Sequence, residues 1–454
     1  MSGPSPLASS FRDPSGFVYT RDGVLYRQVN AGYADDLQLL WSSGLYDELA
    51  ERGLLVPCER VDVSLAATPG AVAVLRPERV PTISYPYEWC FGELKDAALL
   101  TLEIARRALN RGIALKDASA YNVQFLRGKP VFIDTLSFER YEEGEPWVAY
   151  RQFCAHFLAP LALMAHVDVR LSSLLRTNIN GVPLDLASSL LPGSTRLKPG
   201  LLAHVHIHGK ATTAKATEEV KKARVAKVSL LALLDSLKGT VEGLRWEPKG
   251  TQWADYYAET NYTDESMAEK RRLVRGFLER SGGRTCWDLG ANTGEFSRIA
   301  AELGMETVAW DVDPGAVERA YAAKLPGVLP LLQDLTNPSP DLGWAGQERD
   351  SLEARGPVDM VMALALVHHL AIGNNVPLAD IAVYFARLGR QAIVEFVPKE
   401  DSQVRRLLAS RRDVFPNYDL AGFEAAVASH FEVEEKSPIA GTTRTLFRLR
   451  RRSP

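Results

Sequence analysis

Asp288, Gly290, Asn292 and Gly294 stand within Thr285-Cys-Trp-Asp-Leu-Gly-Ala-Asn-Thr-Gly-Glu-Phe-Ser297, and their types and spacing suit the close holding of a polar ligand. An acid at the end of an apolar run offers charge where the chain turns. The glycines let the backbone approach a ligand, where a side chain would hold it off or be strained at positive φ. A second acid, Asp311, follows about twenty residues after Gly290, the place at which dinucleotide-type folds accept ribose hydroxyls. Asp334 and Leu335 then offer a carboxylate beside an N–H. His368 and His369 supply imidazoles whose ordinary pKa suits proton removal near neutrality. Glu395, set in an apolar run, is a polar contact or a second base near the same edge.

These residues need elements to gather them. Residues 286–289 read as a buried strand, 290–294 as a tight turn and 295–303 as a helix by the spacing of their apolar positions. Further strands are expected at 307–310, 327–332, 358–364 and 391–397. Pro314 opens the helix after the second of them. A helix over 265–279 precedes the set and is stopped at Ser281-Gly-Gly283. Residues 431–435 and 443–449 have no room for a helix between them, so an antiparallel hairpin is expected.

Strands alternating with helices, closed by a hairpin, and carrying Asp288-Leu-Gly-Ala-Asn-Thr-Gly294, Asp311, Asp334-Leu335 and His368-His369, resemble the class I, seven-stranded S-adenosylmethionine-dependent methyltransferases over residues 250–451. The resemblance implies a doubly wound α/β, Rossmann-like domain over 250–454 with S-adenosylmethionine as cofactor. Asp288 and the Gly290–Asn292–Gly294 backbone would hold its amino-acid portion, Asp311 its ribose, and Asp334 with the Leu335 N–H its adenine edge. Asn292 stands where that family often has glycine. A sulfonium methyl is already activated, so the protein has to align an acceptor and exclude water. For a hydroxyl acceptor the expected base is His369, ahead of His368, with Glu395 behind them. Family members that methylate nucleic-acid bases often carry Asn/Asp-Pro-Pro-aromatic after the fourth strand; here that place reads Ala365-Leu-Val-His-His369. The expected acceptor is therefore a small-molecule, sugar or lipid-linked hydroxyl. The alternative is a scaffold that binds the cofactor without chemistry.

Residues 1–15, rich in Ser, Pro and Gly, are expected to be disordered. An α+β domain is expected over 16–175, with a hairpin turning at Arg21-Asp-Gly23, helices over 33–52, 94–110 and 147–165, and strands over 61–65 and 71–75. Asp117, Asn122 and Asp134 match in spacing the catalytic-loop and metal-binding residues of the protein-kinase-like fold, which this order of elements resembles. That resemblance implies Asp117 on a hydroxyl, Asn122 and Asp134 on magnesium, and a bifunctional kinase-methyltransferase. No Gly-x-Gly-x-x-Gly loop joins the first two strands, Lys116 precedes Asp117, Thr135 follows Asp134, and Arg27 is the nearest phosphate-pairing cation. A degenerate scaffold and an unrelated α+β domain both stay open.

Residues 176–249 read as a connector of loops and helix. His204, His206 and His208 would share one face of a strand, with no acidic or cysteine partner nearby, so a polar face is expected rather than a metal site. The basic run 210–227 reads as a solvated helical face. A net charge of -3 argues against a surface that coats nucleic acid. The four scattered cysteines make no Cys-x-x-Cys pair and suit a reducing compartment. The N-terminus lacks the pattern of a signal peptide, and the longest apolar run, near 157–165, is too short to span a bilayer. A soluble, cytoplasmic protein is expected.

Overall fold

The structure, a computed structural model, describes residues 3–208, 224–248, 262–409 and 412–452. It divides into two compact units, Met1–Trp246 with Leu342–Arg349, and Glu247–Asp341 with Asp350–Pro454. Most of the basic run 210–227, and residues 253–261, lie outside the described residues. Among the described residues no helix is long and apolar enough to cross a membrane.

In the first unit, β1 (Ser5–Pro6), β2 (Gly16–Arg21), β3 (Val24–Asn30), β4 (Cys58–Val61) and β5 (Ala71–Pro77) form an antiparallel sheet in the order β1-β2-β3-β5-β4. The β2–β3 hairpin turns on Asp22 and Gly23, both at positive φ, as a two-residue turn between right-twisted strands requires. Residues 1–15 were expected to be disordered, yet β1 pairs with β2, Leu7 N–H donates to Val18 O and Asn30 N–H to Ser15 O. Backbone pairing anchors this segment without an apolar core, which composition cannot reveal. The helix expected over 33–52 is split into Ala34–Ser42 and Leu45–Glu51 by Gly44 at φ 70°.

Beyond the Phe91–Asn110 helix come β6 (Ile113–Leu115), β7 (Val123–Leu126), β8 (Lys129–Phe132) and β9 (Phe138–Arg140), with β6 paired to β9 and β7 to β8. The Lys227–Gly243 helix buries Leu230, Leu234, Leu237 and Val241, a stripe worth roughly 1.5–3 kcal/mol per side chain. It belongs to the first unit, so the expected connector is largely part of that fold. The three histidines do not lie on a strand. Leu202–Ile207 is π-helical, and both ring nitrogens of His204 and of His206 have hydroxyl partners, Tyr150 and Ser236 for the first, Ser188 and Thr195 for the second.

In the second unit β10 (Thr285–Leu289), β11 (Glu306–Asp311), β12 (Val328–Leu332), β13 (Val358–Ala363), β14 (Gly389–Phe396), β15 (Phe431–Pro438) and β16 (Thr445–Arg451) form a seven-stranded sheet. The order is β12-β11-β10-β13-β14-β16-β15; β10 to β14 run parallel, and β16 is antiparallel to both β14 and β15. β10 is buried almost throughout, because helices cover the faces of a parallel sheet. The Asp264–Ser281 helix starts on a Thr263 cap to Ser266 N–H and ends at Gly282 in the left-handed region. Chain reversals after β10, β11, β12 and β13 leave the candidate residues together at the carboxyl ends of those strands.

Candidate active site

A cavity of about 350 Å³ opens at those strand ends, and Gly290, Asn292, Asp311, Asp334, Leu335 and His369 all line it. A recess of about 40 Å³ shares Gly290, Asn292, Leu364 and Ala365 with it and is walled by Tyr262, Lys270, Asp288 and Phe296. Gly290 is at φ 72°, and a Cβ there would meet Leu366 Cδ1 at 3.1 Å. The turn is thus compatible with glycine for both its conformation and its packing.

The five N–H groups of residues 290–294 all donate within the protein. Gly290 and Ala291 donate to Trp310 O at 2.8 and 2.9 Å, Asn292 to Asp311 Oδ2 at 2.7 Å, Thr293 to Asn292 Oδ1 and Gly294 to Ala291 O. With these donors engaged within the protein, a carboxylate held by the loop would have to share or displace one of these bonds. Charge in the recess comes from Asp288 and Lys270.

Asp288 accepts from Ser297 Oγ at 2.6 Å, and burial pushes its carboxyl up to about 6 despite that bond and the nearby Lys270. Asp311, also buried, is pushed up to about 6 although the Asp313 and Asn292 N–H groups favour its charged form. Asp334 is exposed; its Oδ1 accepts from the Thr336 N–H and hydroxyl at 2.8 and 2.7 Å, so it caps its own turn while lining the cavity.

The His368 and His369 rings are in contact, their centroids 4.1 Å apart and their planes tilted by 38°. His369 lines the cavity, whereas His368 is fully buried and neither of its ring nitrogens has a hydrogen-bond partner among the described residues. Burial, and then the Arg444 guanidinium, take the His369 imidazole down to about 4. Burial and the fields of His369, Arg444 and Lys270 hold His368 well below its ordinary value. Both rings are neutral at pH 7.

Glu395 does not line the cavity, which corrects its expected place as a second base. It is fully buried, with Lys270 Nζ at 2.6 Å, Arg444 Nη1 at 3.2 Å and the Tyr262 hydroxyl donating to it. Burial favours its neutral form, but the two cations outweigh burial and keep it charged. Arg444 also grips Asp401 through Nε at 2.8 Å and Nη2 at 3.2 Å, and lies over the Tyr262 ring. Sequence reading missed Lys270, Arg444 and Asp401. Lys270 stands among other charges on the expected 265–279 helix, Asp401 follows Lys399 and Glu400, and Arg444 lies in the expected 443–449 strand, so none stood out in sequence and only the fold brings them together.

In the first unit Asp117 accepts from Ser119 N–H at 2.9 Å and from Gln152 Nε2 at 2.8 Å. Ser137 Oγ joins the other two, accepting from Asn122 Nδ2 at 3.2 Å and donating to Asp134. Arg27 pairs with Asp134 itself. Burial raises the Asp117 carboxyl, and the charge of Asp134 adds to that. Among the described residues no group of three or more His, Cys, Asp or Glu is arranged to hold a metal ion.

No family model matches the chain. Among solved structures, magnesium protoporphyrin IX methyltransferase (ChlM) from Synechocystis PCC 6803 with bound SAH is 15% identical, covering 44% of this chain and 93% of its own, at a TM-score of 0.30. The N-methyltransferase NodS from Bradyrhizobium japonicum WM9 is 11% identical, covering 42% of this chain and 98% of its own, at a TM-score of 0.31. Nodulation protein NoeA of Rhizobium meliloti (strain 1021) is 36% identical over 461 residues, which covers 99% of this chain and 96% of that protein. An identity of that size, sustained through both units, means that the chain belongs to the NoeA family.

Proposed function

We propose that the second unit binds S-adenosylmethionine in its cavity and transfers the methyl group to a nucleophile beside His369. The observation that carries this reading is the Asn292 N–H to Asp311 Oδ2 bond, which joins the glycine loop after β10 and the acid ending β11 in one cavity wall. The strand order, with β10 between β11 and β13 and an antiparallel hairpin at one side, supports a class I methyltransferase fold. Asp288 would take the ammonium of the cofactor's amino-acid portion and Lys270 Nζ its carboxylate. Asp311 would accept from the ribose hydroxyls, and Asp334 with the Leu335 N–H would meet the adenine edge. When bound, the cofactor supplies an activated methyl group.

His369 presents a neutral imidazole to the cavity at pH 7, but burial and Arg444, which take it down to about 4, also make it a weak base, so removing a hydroxyl proton would need the bound acceptor to shift that balance. Among the described residues no Lys or Arg lines the cavity, which favours an uncharged portion of the acceptor. That supports a small-molecule, sugar or lipid-linked hydroxyl over a phosphate-rich polymer. Calorimetric titration with S-adenosylmethionine should give saturable binding, and Asp288→Ala should weaken it by at least tenfold, the worth of a charge-assisted contact. His369→Ala should leave affinity within about twofold while abolishing incorporation of labelled methyl groups from cell extract. A wild-type chain that gives no heat and no thermal stabilisation sinks the reading.

For the first unit a kinase-like scaffold is supported by the β6–β9 and β7–β8 pairings and by the gathering of Asp117, Asn122 and Asp134. Arg27 holds Asp134, so phosphoryl transfer through a metal on that carboxylate would require Arg27 to leave first.

A further inference from the structure

A second cavity, of about 260 Å³, lies within the first unit. The Phe91–Asn110 helix brings Ala105 and Leu109 to it, and the Lys227–Gly243 helix brings Leu230 and Leu234. All four are buried, whereas Val148, which also lines the cavity, is 65% exposed, so the space communicates with solvent. Ala114 on β6 and Glu139 on β9 stand directly opposite each other and both line it. Opposed residues share one face of a sheet, and Ile113 and Phe138, at alternate positions, are buried on the other. Glu139 is half-buried and keeps part of its surface accessible. Burial pushes its carboxyl up, the field of Lys116 offsets this in part, and no hydrogen bond engages it among the described residues. Glu142 and Glu145 line the same cavity, and Arg140 is the one cation in its lining among the described residues.

We propose that this cavity binds a small organic cation, an ammonium carried on an apolar body, with Glu139 as its counter-charge. The apolar body would lie against Leu109, Leu230 and Leu234 and lose its contact with water there. A carboxylate set in such a wall has given up part of its hydration. Unpaired, it gains most from a ligand that brings an N–H donor and a positive charge together. A neutral hydroxyl would satisfy it less well, and an anion would meet three carboxylates against one guanidinium. The volume stands just below the usual range for small-molecule sites, about 300–1,000 Å³, so a single ring or a short chain fits. The site is independent of the cofactor reading, because every described residue it uses belongs to the first unit.

Calorimetric titration of the full chain at pH 7 with phenethylamine, phenethyl alcohol and phenylpropionate tests this, since the three share an apolar body and differ in charge. The amine should bind saturably and about tenfold or more tighter than the alcohol, the scale of a charge-assisted hydrogen bond. The acid should give no saturable binding. Glu139→Gln should bring the amine to within about twofold of the alcohol and leave the alcohol's affinity unchanged. Equal affinity for amine and alcohol, tighter binding of the acid, unchanged amine affinity in Glu139→Gln, or a wild type that binds none of the three would overturn the assignment. If Glu139→Gln fails to fold, Ala114→Leu, which fills space beside the carboxylate, should weaken amine and alcohol alike. Unchanged affinities in that variant would overturn the site.

Discussion

Asp288 and Asp311 are acids that the fold keeps partly reluctant to ionise. Both are pushed up to about 6, chiefly by burial, from an ordinary value near 3.8. A raised carboxyl means that the folded chain binds more protons than the unfolded one between about pH 4 and 6. Stability without ligand therefore falls as pH rises through that window, and the deficit persists above it. A cofactor that offers an ammonium to Asp288 and hydroxyls to Asp311 favours their charged forms. Its affinity should be level above about pH 7 and fall by about tenfold per pH unit for each acid that must lose a proton below 6. Calorimetry from pH 5 to 8 reads this, and a flat profile would mean that neither acid meets the cofactor. Both acids were legible in the sequence, since Asp288 interrupts an apolar strand one residue before its end and Asp311 ends the next. Their environment was not, because burial and the charge of Lys270 come from a helix outside the loop.

At the scale of elements, the charges that brace the recess come from three of them. Lys270 belongs to the Asp264–Ser281 helix, Glu395 to β14, and Arg444 stands just before β16. Arg444 is 1% exposed and answers both Glu395 and Asp401, so Arg444→Met would leave two buried carboxylates short of their cation. The expected cost is about 3–5 kcal/mol in denaturant unfolding, against less than about 1 kcal/mol for Arg271→Ala at the exposed Glu295 pair. Similar costs for the two variants would refute the bracing role. The seven strands were legible because period and punctuation are local signals, and their bounds shifted by only a few residues. The π-helical turn at Leu202–Ile207 was not, since alternating histidines suit a strand equally well, and their hydroxyl partners lie on distant segments. The anchoring of residues 3–15 was missed for the same reason, as backbone pairing leaves no mark on composition.

Across the whole molecule, the second unit was the more readable because its site residues sit at strand ends in chain order. The first unit kept its Asp117–Asn122–Asp134 spacing, but only the fold revealed that Arg27, on β3, is spent on Asp134. Asp117→Ala should leave S-adenosylmethionine affinity within about twofold, because every described residue lining the proposed cofactor cavity belongs to the other unit. A larger loss by calorimetry would show that the units are coupled. Arg444 sets an order on synthesis as well. Its partners Asp401 and Glu395 lie 43 and 49 residues earlier in the chain, and Lys270 is earlier still. A nascent chain that has released the glycine loop and all five parallel strands still lacks the guanidinium that answers those acids. The ribosome must therefore deliver residue 444 before the recess acquires its full complement of charge.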